Sequence, residues 1–396
     1  MKISHPVLVE EDGLVKYKVT IESSLGSQIL WYSVDKEFGN LLSDHADTAV
    51  VAALIPAMKL GEDIEIDGTI SEKLYYVLSS AYQGLLKDII PTLKTIRIKP
   101  QSIEIYKTKS TGVMTGFSGG IDAFHTLNRH FYQDHIPNSL RITHLLFNNV
   151  GSHSSGGERL FRARYNRLLP LTEKLGLPYV PVNSNLEELY RSVQITFRAS
   201  SVLRNASVAL LFQEGIGKYL FSSGYKYIEL NRQPNVTGNL SYWEAIATPF
   251  LSTETMEMFS VGHEYTRVEK TLQVSEVEDS YKWLDICSTN KLAGNCGQCK
   301  KCLQTQFTLD IAGKLDRYKS AFDLDRYYKI RHNYFPEPLL RDDPFRREIV
   351  DFAEAQGFKF PLRAKMLANT PYFLELRDVA RWIRDRVKGL KVGEKK

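Results

Sequence analysis

Apolar and polar positions along this chain change period more than once. From Val15 to Ile21 (VKYKVTI) they alternate, and Ile29 to Val34 (ILWYSV) is β-rich, which predicts two strands. Thr48 to Met58 and Ser71 to Leu86 carry helical apolar spacing, and Leu93 to Ile105 reads as another strand pair. Beyond Lys109 the pattern becomes strand, helix, strand. Val113, Met114 and Phe117 are apolar, Ser118-Gly119-Gly120 is a small-residue turn, and Ile121 to Leu127 opens an amphipathic helix. Ile142 to Asn148 (ITHLLFN) is a compact apolar run that fits a buried parallel strand. A helical stretch from Gly156-Gly157-Glu158 carries Leu160, Phe161, Tyr165, Leu168 and Leu175, with Pro170 expected to kink or divide it. Tyr179 to Val182, a small-residue helix from Ser201 to Glu214, and Lys218 to Ser222 follow.

Strands alternating with helices predict an α/β fold, a doubly wound parallel sheet preceded by an extra α+β domain. The expected division is 1–108 for the N-terminal accessory domain, 109–320 for the parallel-sheet domain and 321–396 for a mostly helical C-terminal extension. Asn231 to Leu240 is a polar loop, read as a flap near the ligand edge or as plain surface. A helix is expected from Asn369 to Gly389, with the final KVGEKK disordered. Asp44, His45 and Asp47 lie close together and read as a solvated helix-entry turn.

Composition narrows the class without choosing a chemistry. The 396 residues are 43% apolar and 24% charged, ordinary for a globular protein with a substantial core. A formal charge of +5 permits a nucleotide or tRNA partner without arguing for one. No apolar run approaches the ~18 residues of a membrane span. The N-terminus MKISHPVLVEEDG lacks the basic and apolar segments of a signal peptide, so a cytoplasmic protein is expected.

Two stretches carry candidate chemistry. The first is Thr111 to Leu127, TGVMTGFSGGIDAFHTL. A strand running through glycines into a helix presents backbone N–H groups and a favourable dipole to an anion. The Walker lysine is absent. An ordinary strand–turn–helix corner explains the same residues, and Asp122 alone would also complement a helix dipole. The second is Cys287, Cys296, Cys299 and Cys302, spaced C-x8-C-x2-C-x2-C, with Gly294 and Gly297 allowing tight turns. Four such thiolates suit tetrahedral Zn²⁺. An iron–sulfur cluster or disulfides remain alternatives. Lys291, Lys300 and Lys301 would offset the charge.

Ser118-Gly119-Gly120-x-Asp122 resembles the pyrophosphatase loop (PP-loop) of enzymes that split ATP into AMP and pyrophosphate. CGQCKKCLQTQFTLDIAG resembles the zinc segment of the QueC family, the 7-cyano-7-deazaguanine synthases that make preQ0. Arg204-Asn205 in LRNASVALLF resembles that family's Arg-Asn pair. The resemblance covers roughly residues 110 to 315, and longer QueC-like proteins are associated with anti-phage defence. It implies that Phe117, Ser118, Gly119, Gly120, Ile121 and Asp122 hold ATP and its Mg²⁺, with Ser118, Asp122 and Arg204 in catalytic roles. Arg204 reads equally as a surface ion pair. The family activates 7-carboxy-7-deazaguanine, takes ammonia to an amide, and dehydrates this to the nitrile. Three positions depart from the family. Ala123 replaces a serine, Thr255 stands near a missing phosphate-facing lysine, and the substrate loop survives only as Ser223-Gly224-Tyr225.

Three functions follow as expectations. One is a deazaguanine amide or nitrile synthase. Another is an adenylating enzyme with a different acceptor, such as a protein amine, in anti-phage defence. The last is a non-catalytic nucleotide-binding or zinc-containing RNA-binding protein. A homo-oligomer is compatible with each.

Overall fold

The period-two stretches become the strands of one sheet. In chain order these are β1 (Lys2–Ile3), β2 (Val7–Glu11), β3 (Leu14–Ser23), β4 (Gly26–Asp35), β5 (Ile64–Ser71), β6 (Ile98–Glu104), β7 (Gly112–Gly116), β8 (His144–Asn148), β9 (Tyr179–Ser184), β10 (Ile216–Ser222) and β11 (Glu257–Val261). The computed structural model describes residues 1–107, 110–153, 157–232, 237–287 and 293–370. The expected helix 369–389 and the tail lie almost wholly outside them, as do 108–109 at the expected domain boundary and 233–236 of the flap.

Strand order is β11-β10-β7-β8-β9-β4-β3-β1-β5-β6, with β2 added on β3. Strands β11 to β9 run parallel, and β1, β5 and β6 are parallel to one another. The chain is therefore α/β with a large, mostly parallel sheet. Neighbouring residues on its strands serve opposite faces: Val113, Leu145 and Tyr179 enter one apolar core, Met114, Leu146 and Val180 the other. The helix Gly157–Leu175 supplies Phe161, Leu168 and Leu171 to the first core. The helix Phe197–Leu210 supplies Val202, Leu203 and Ala206 to the second.

Residues 1–107 join this sheet through an antiparallel pairing of β4 with β9, Tyr32 opposite Ser184 and Ser33 opposite Asn183. Their helix Asp47–Leu60 shares a core with the helix Phe197–Leu210, and Tyr32 Oη lies 3.0 Å from Ser207 Oγ across it. Sheet and core are thus continuous from the N-terminal strands into the parallel half.

Local departures from the sequence pattern have local causes. Ser71 to Leu86 folds as two helices, Glu72–Leu78 and Ala81–Ile89, with Ser80 (φ −145°, ψ −86°) breaking the run. Only β6 forms within Leu93 to Ile105, because the Gln83 side chain takes the Ile96 backbone that a second strand would need. Its Nε2 donates to Ile96 O (3.1 Å) and its Oε1 accepts from Ile96 N (2.9 Å). Pro170 does not divide its helix, which runs unbroken from Gly157 to Leu175. Asp47 is wholly buried, not solvated; its carboxylate accepts from Ser71 N (2.9 Å) and Gln213 Nε2 (3.1 Å).

Candidate functional site

The chain leaves β7 for β8 and β9 on one side, then returns to β10 and β11 on the other. The order reverses between β7 and β10, and parallel sheets bind ligands in the crevice beyond the carboxyl ends at such a point. Two turns open there: Phe117–Gly120 after β7 and Ser223–Tyr225 after β10.

The first turn is rigidly held. Phe117 N donates to Leu146 O (2.8 Å), and Phe117 O accepts from Tyr179 Oη (2.8 Å). Gly119 has φ +73°, and a Cβ there would lie 3.0 Å from Leu168 Cδ2 and 3.2 Å from Asp285 Cβ. Glycine is required both for the backbone region and for the space. Gly120 caps the helix Ile121–Leu127 in extended conformation, and the Ser118 side chain faces solvent at the mouth. Ala123 and Ile121 are buried in the core behind, where a serine hydroxyl at 123 would be buried too.

Cationic side chains surround this turn. Asp122 is bonded to Arg267 Nη1, and its other oxygen lies 3.6 Å from Lys270 Nζ. Burial alone would raise the Asp122 carboxyl, but Arg267 and Lys270 outweigh it and hold the pKa below the ordinary value. Lys270 is 1% exposed and donates to Ser223 O (2.8 Å) and Ser223 Oγ (2.9 Å), tying the two turns together. Burial lowers its ammonium pKa, against the pull of Asp122. Lys301, reached by solvent but crowded by protein, has its pKa lowered by desolvation and then by the charge of Arg267; Asp122 and Arg164 also act on it. His125 is driven down to about 4 by burial and by Lys270, so it is neutral at pH 7.

The second turn is clamped from several elements. Gly224 N donates to Glu244 Oε2 (2.9 Å), and His263 Nδ1 lies 2.8 Å from Tyr225 O. The Tyr225 ring stacks on Tyr242 (4.2 Å between centroids) and on Phe345 (5.0 Å). Phe345 belongs to the helix Pro344–Ala355, whose Glu348 accepts from Arg267 N (2.8 Å) and whose Ile349 and Val350 pack with Val268. The helix Pro344–Ala355 thus buttresses the helix Arg267–Val274 that carries Arg267 and Lys270.

The cysteine segment is attached to the glycine turn. Asp285 N donates to Gly119 O (2.7 Å), and Gly294 N donates to Asp285 Oδ2 (3.0 Å). Asn295 closes the same turn, accepting from Ile286 N (2.9 Å) and donating to Leu284 O (2.8 Å). The four Sγ atoms of Cys287, Cys296, Cys299 and Cys302 all lie within 4.8 Å of one another. Tetrahedral zinc, with Zn–S near ~2.3 Å, sets its sulfurs about 3.8 Å apart, so the donor set fits one such ion. Cys299 N donates to Cys296 Sγ (3.3 Å), as a thiolate knuckle requires. Lys291 lies outside the described residues, and Lys300 pairs with Asp343 (2.9 Å).

Arg204 is not brought to the crevice mouth. It is wholly buried: Nε donates to Ser200 Oγ (2.8 Å), Nη1 to Val150 O (2.8 Å) and to Glu187, and the guanidinium lies over Tyr190 (4.1 Å). Its geometry is that of a clamp on the loop after β8, the loop in which Gly151 takes φ +100°. Thr255 precedes β11 at the opposite edge of the sheet, bonded to Gln213 (3.2 Å). Arg267, Lys270 and Glu244, which sequence reasoning passed over, occupy the crevice instead. Their one sequence signal was weak: a capping box, Thr266 with Glu269, placing Arg267 and Lys270 in the first turns of a helix.

Among the described residues no helix is long and apolar enough to cross a membrane. Comparison with models of known families found no match, and comparisons with curated proteins and with solved structures found no similar chain.

Proposed function

We propose that this chain uses ATP to activate a carboxylate, forming an acyl-adenylate and releasing pyrophosphate. The observation that supports it is that Asp122, in the helix opened by the Phe117–Gly120 turn, lies against Arg267 and Lys270 and feels the charge of Lys301 at the sheet's reversal point. Backbone N–H groups and an excess of positive charge suit a polyphosphate. The substrate carboxylate oxygen attacks the α-phosphorus, the bond to the β-phosphate oxygen breaks, and pyrophosphate leaves. Positioning and electrostatic stabilisation supply the rate, with no covalent enzyme intermediate. Mg²⁺ would arrive on the phosphates, with Asp122, in the helix that the turn opens, as its candidate carboxylate, and Zn²⁺ would hold the cysteine knot against Gly119 as a structural ion.

The resemblance to the QueC family names 7-carboxy-7-deazaguanine as the acid and ammonia as the acceptor, leading to amide or nitrile. A different acceptor, such as a protein amine in an anti-phage role, is favoured by one feature. The Ser223–Tyr225 turn lacks flanking acids, and its Tyr225 ring stacks on Tyr242 and Phe345. The test is pyrophosphate release from ATP and Mg²⁺ with and without 7-carboxy-7-deazaguanine. Carboxylate-dependent release is expected, falling on the order of 10²-fold in Ser118→Ala. Release that ignores the carboxylate, or that Ser118→Ala leaves intact, overturns the reading.

A further inference from the structure

Glu244 stands apart from the other buried carboxylates. It is 4% exposed, yet among the described residues it forms no ion pair. Glu229 is equally enclosed but is met by Arg232 (3.2 Å) and Arg347 (2.7 Å), and Glu337 is met by Arg346 (3.1 Å). Asp47, also buried without a cation, is held by two donors and ties β5 to Gln213, a structural task. Glu244 accepts from the backbone of Gly224, in the turn that faces the Ser118 turn across the reversal point, and has the neighbouring Ser241 side chain as a second neutral partner. Lys270, whose charge acts on it, spends its hydrogen bonds on Ser223 and faces Asp122. A buried carboxylate without a counter-ion is costly, and such costs concentrate where a proton must move.

Resting on the adenylation reading, we propose that Glu244 is the proton acceptor for the nitrogen nucleophile that consumes the acyl-adenylate. The nitrogen lone pair forms the C–N bond at the acyl carbon, the bond from that carbon to the AMP oxygen breaks, and AMP leaves. The proton lost by nitrogen goes to the Glu244 carboxylate. The charged groups acting on that carboxylate are Asp122 on the helix after β7 and Lys270 on the helix after β11; Tyr225 lies beside it, with Tyr242 and His263 as that tyrosine's own partners. Desolvation pushes Glu244 up to about 8, with Asp122 adding to the rise and the Gly224 N–H and Lys270 opposing it. Burial lowers His263, so it stays neutral near pH 7, and raises both tyrosines, so neither ionises there. A base near the working pH is the efficient choice for this transfer.

The test separates the two half-reactions in the full chain with 7-carboxy-7-deazaguanine. ATP–pyrophosphate exchange reports adenylation; decay of pre-formed acyl-adenylate on adding ammonium or methylamine reports the nitrogen step. Glu244→Gln keeps an acceptor for Gly224 N–H. It is expected to leave exchange within about threefold and to slow the nitrogen step on the order of 10²-fold. Expressed per free amine, so that titration of the ammonium itself is removed, the wild-type nitrogen step should rise with pH to a plateau above about 8, and the variant should lose that rise. Equal loss in both half-reactions, an unchanged nitrogen step, or decay that neither amine accelerates in the wild type overturns the assignment while leaving adenylation standing. Absence of wild-type exchange overturns the adenylation reading itself, and the assignment with it.

Discussion

Lys270 and Glu244 sit within one crevice yet meet opposite fates, and the difference is one of hydrogen bonding. The ammonium is satisfied by Ser223 and faced by Asp122; the carboxyl has the Gly224 N–H but, among the described residues, no ion pair. The folded state therefore disfavours ionised Glu244. Its folded pKa, about 8, exceeds the ordinary 4.5, so the protonated form's contribution to stability is complete below about 4.5 and is lost as pH rises through 8. Glu348, raised by desolvation to about 7, acts in the same direction. Urea unfolding of wild type and Glu244→Gln should show the variant gaining relative stability between pH 5.5 and pH 8.5, on the order of several kcal/mol if the shift is fully expressed. A difference independent of pH would contradict it. Legibility at single positions followed sequence distance. Ser118, Gly119 and Asp122 lie within one short stretch, and their spacing alone marked a turn between strand and helix. Lys270 and Glu244 come from remote stretches, and no local period records which charge will face which. The burial of Arg204 was not legible, because a guanidinium that grips a ligand and one that locks a buried loop sit in the same small-residue helix pattern.

The segment from Trp283 to Cys302 links two stretches that read as independent in sequence. Asp285 carries the connection, its N–H on Gly119 O and its carboxylate on Gly294 N. Cysteine spacing identified the knot, since x2 gaps force thiolates together, but nothing in the spacing said that the knot would buttress the glycine turn. One zinc per chain is expected by elemental analysis; iron with sulfide, or no metal, would contradict the assignment. Because binding a structural metal is coupled to folding, chelation or Cys302→Ser should lower Tm by about 5 °C or more. The same treatment should weaken ATP binding measured by calorimetry, through the Gly119 contact. Unaltered ATP affinity in metal-free, folded protein would break that link. Elsewhere, element type was legible and boundaries were not. Helical spacing over Ser71 to Leu86 concealed the break at Ser80, and apolar content over Leu93 to Ile105 concealed a glutamine that pairs with backbone.

One sheet carries the first strands and the parallel half, so the N-terminal residues are built into the body that holds the crevice. The parallel core was legible because buried parallel strands are continuously apolar, but the strand order that reverses between β7 and β10 was not. The antiparallel join of β4 to β9 was not, since edge pairing depends on geometry rather than on pattern. Residues beyond 321 likewise wrap the helix that presents Arg267 and Lys270, with Phe345 against Tyr225. This arrangement brings a glycine turn and cations from remote stretches together beside a clamped second turn, the crevice proposed to take the polyphosphate. Carboxylate activation by adenylation makes one chemical demand that no simple ATPase shares: an oxygen of the acid must end on AMP. The direct measurement is mass spectrometry of AMP after turnover with ATP, Mg²⁺, ammonium and 7-carboxy-7-deazaguanine whose carboxylate bears heavy oxygen. AMP carrying one heavy oxygen is the expected result. Unlabelled AMP, or ADP in its place, would contradict the mechanism.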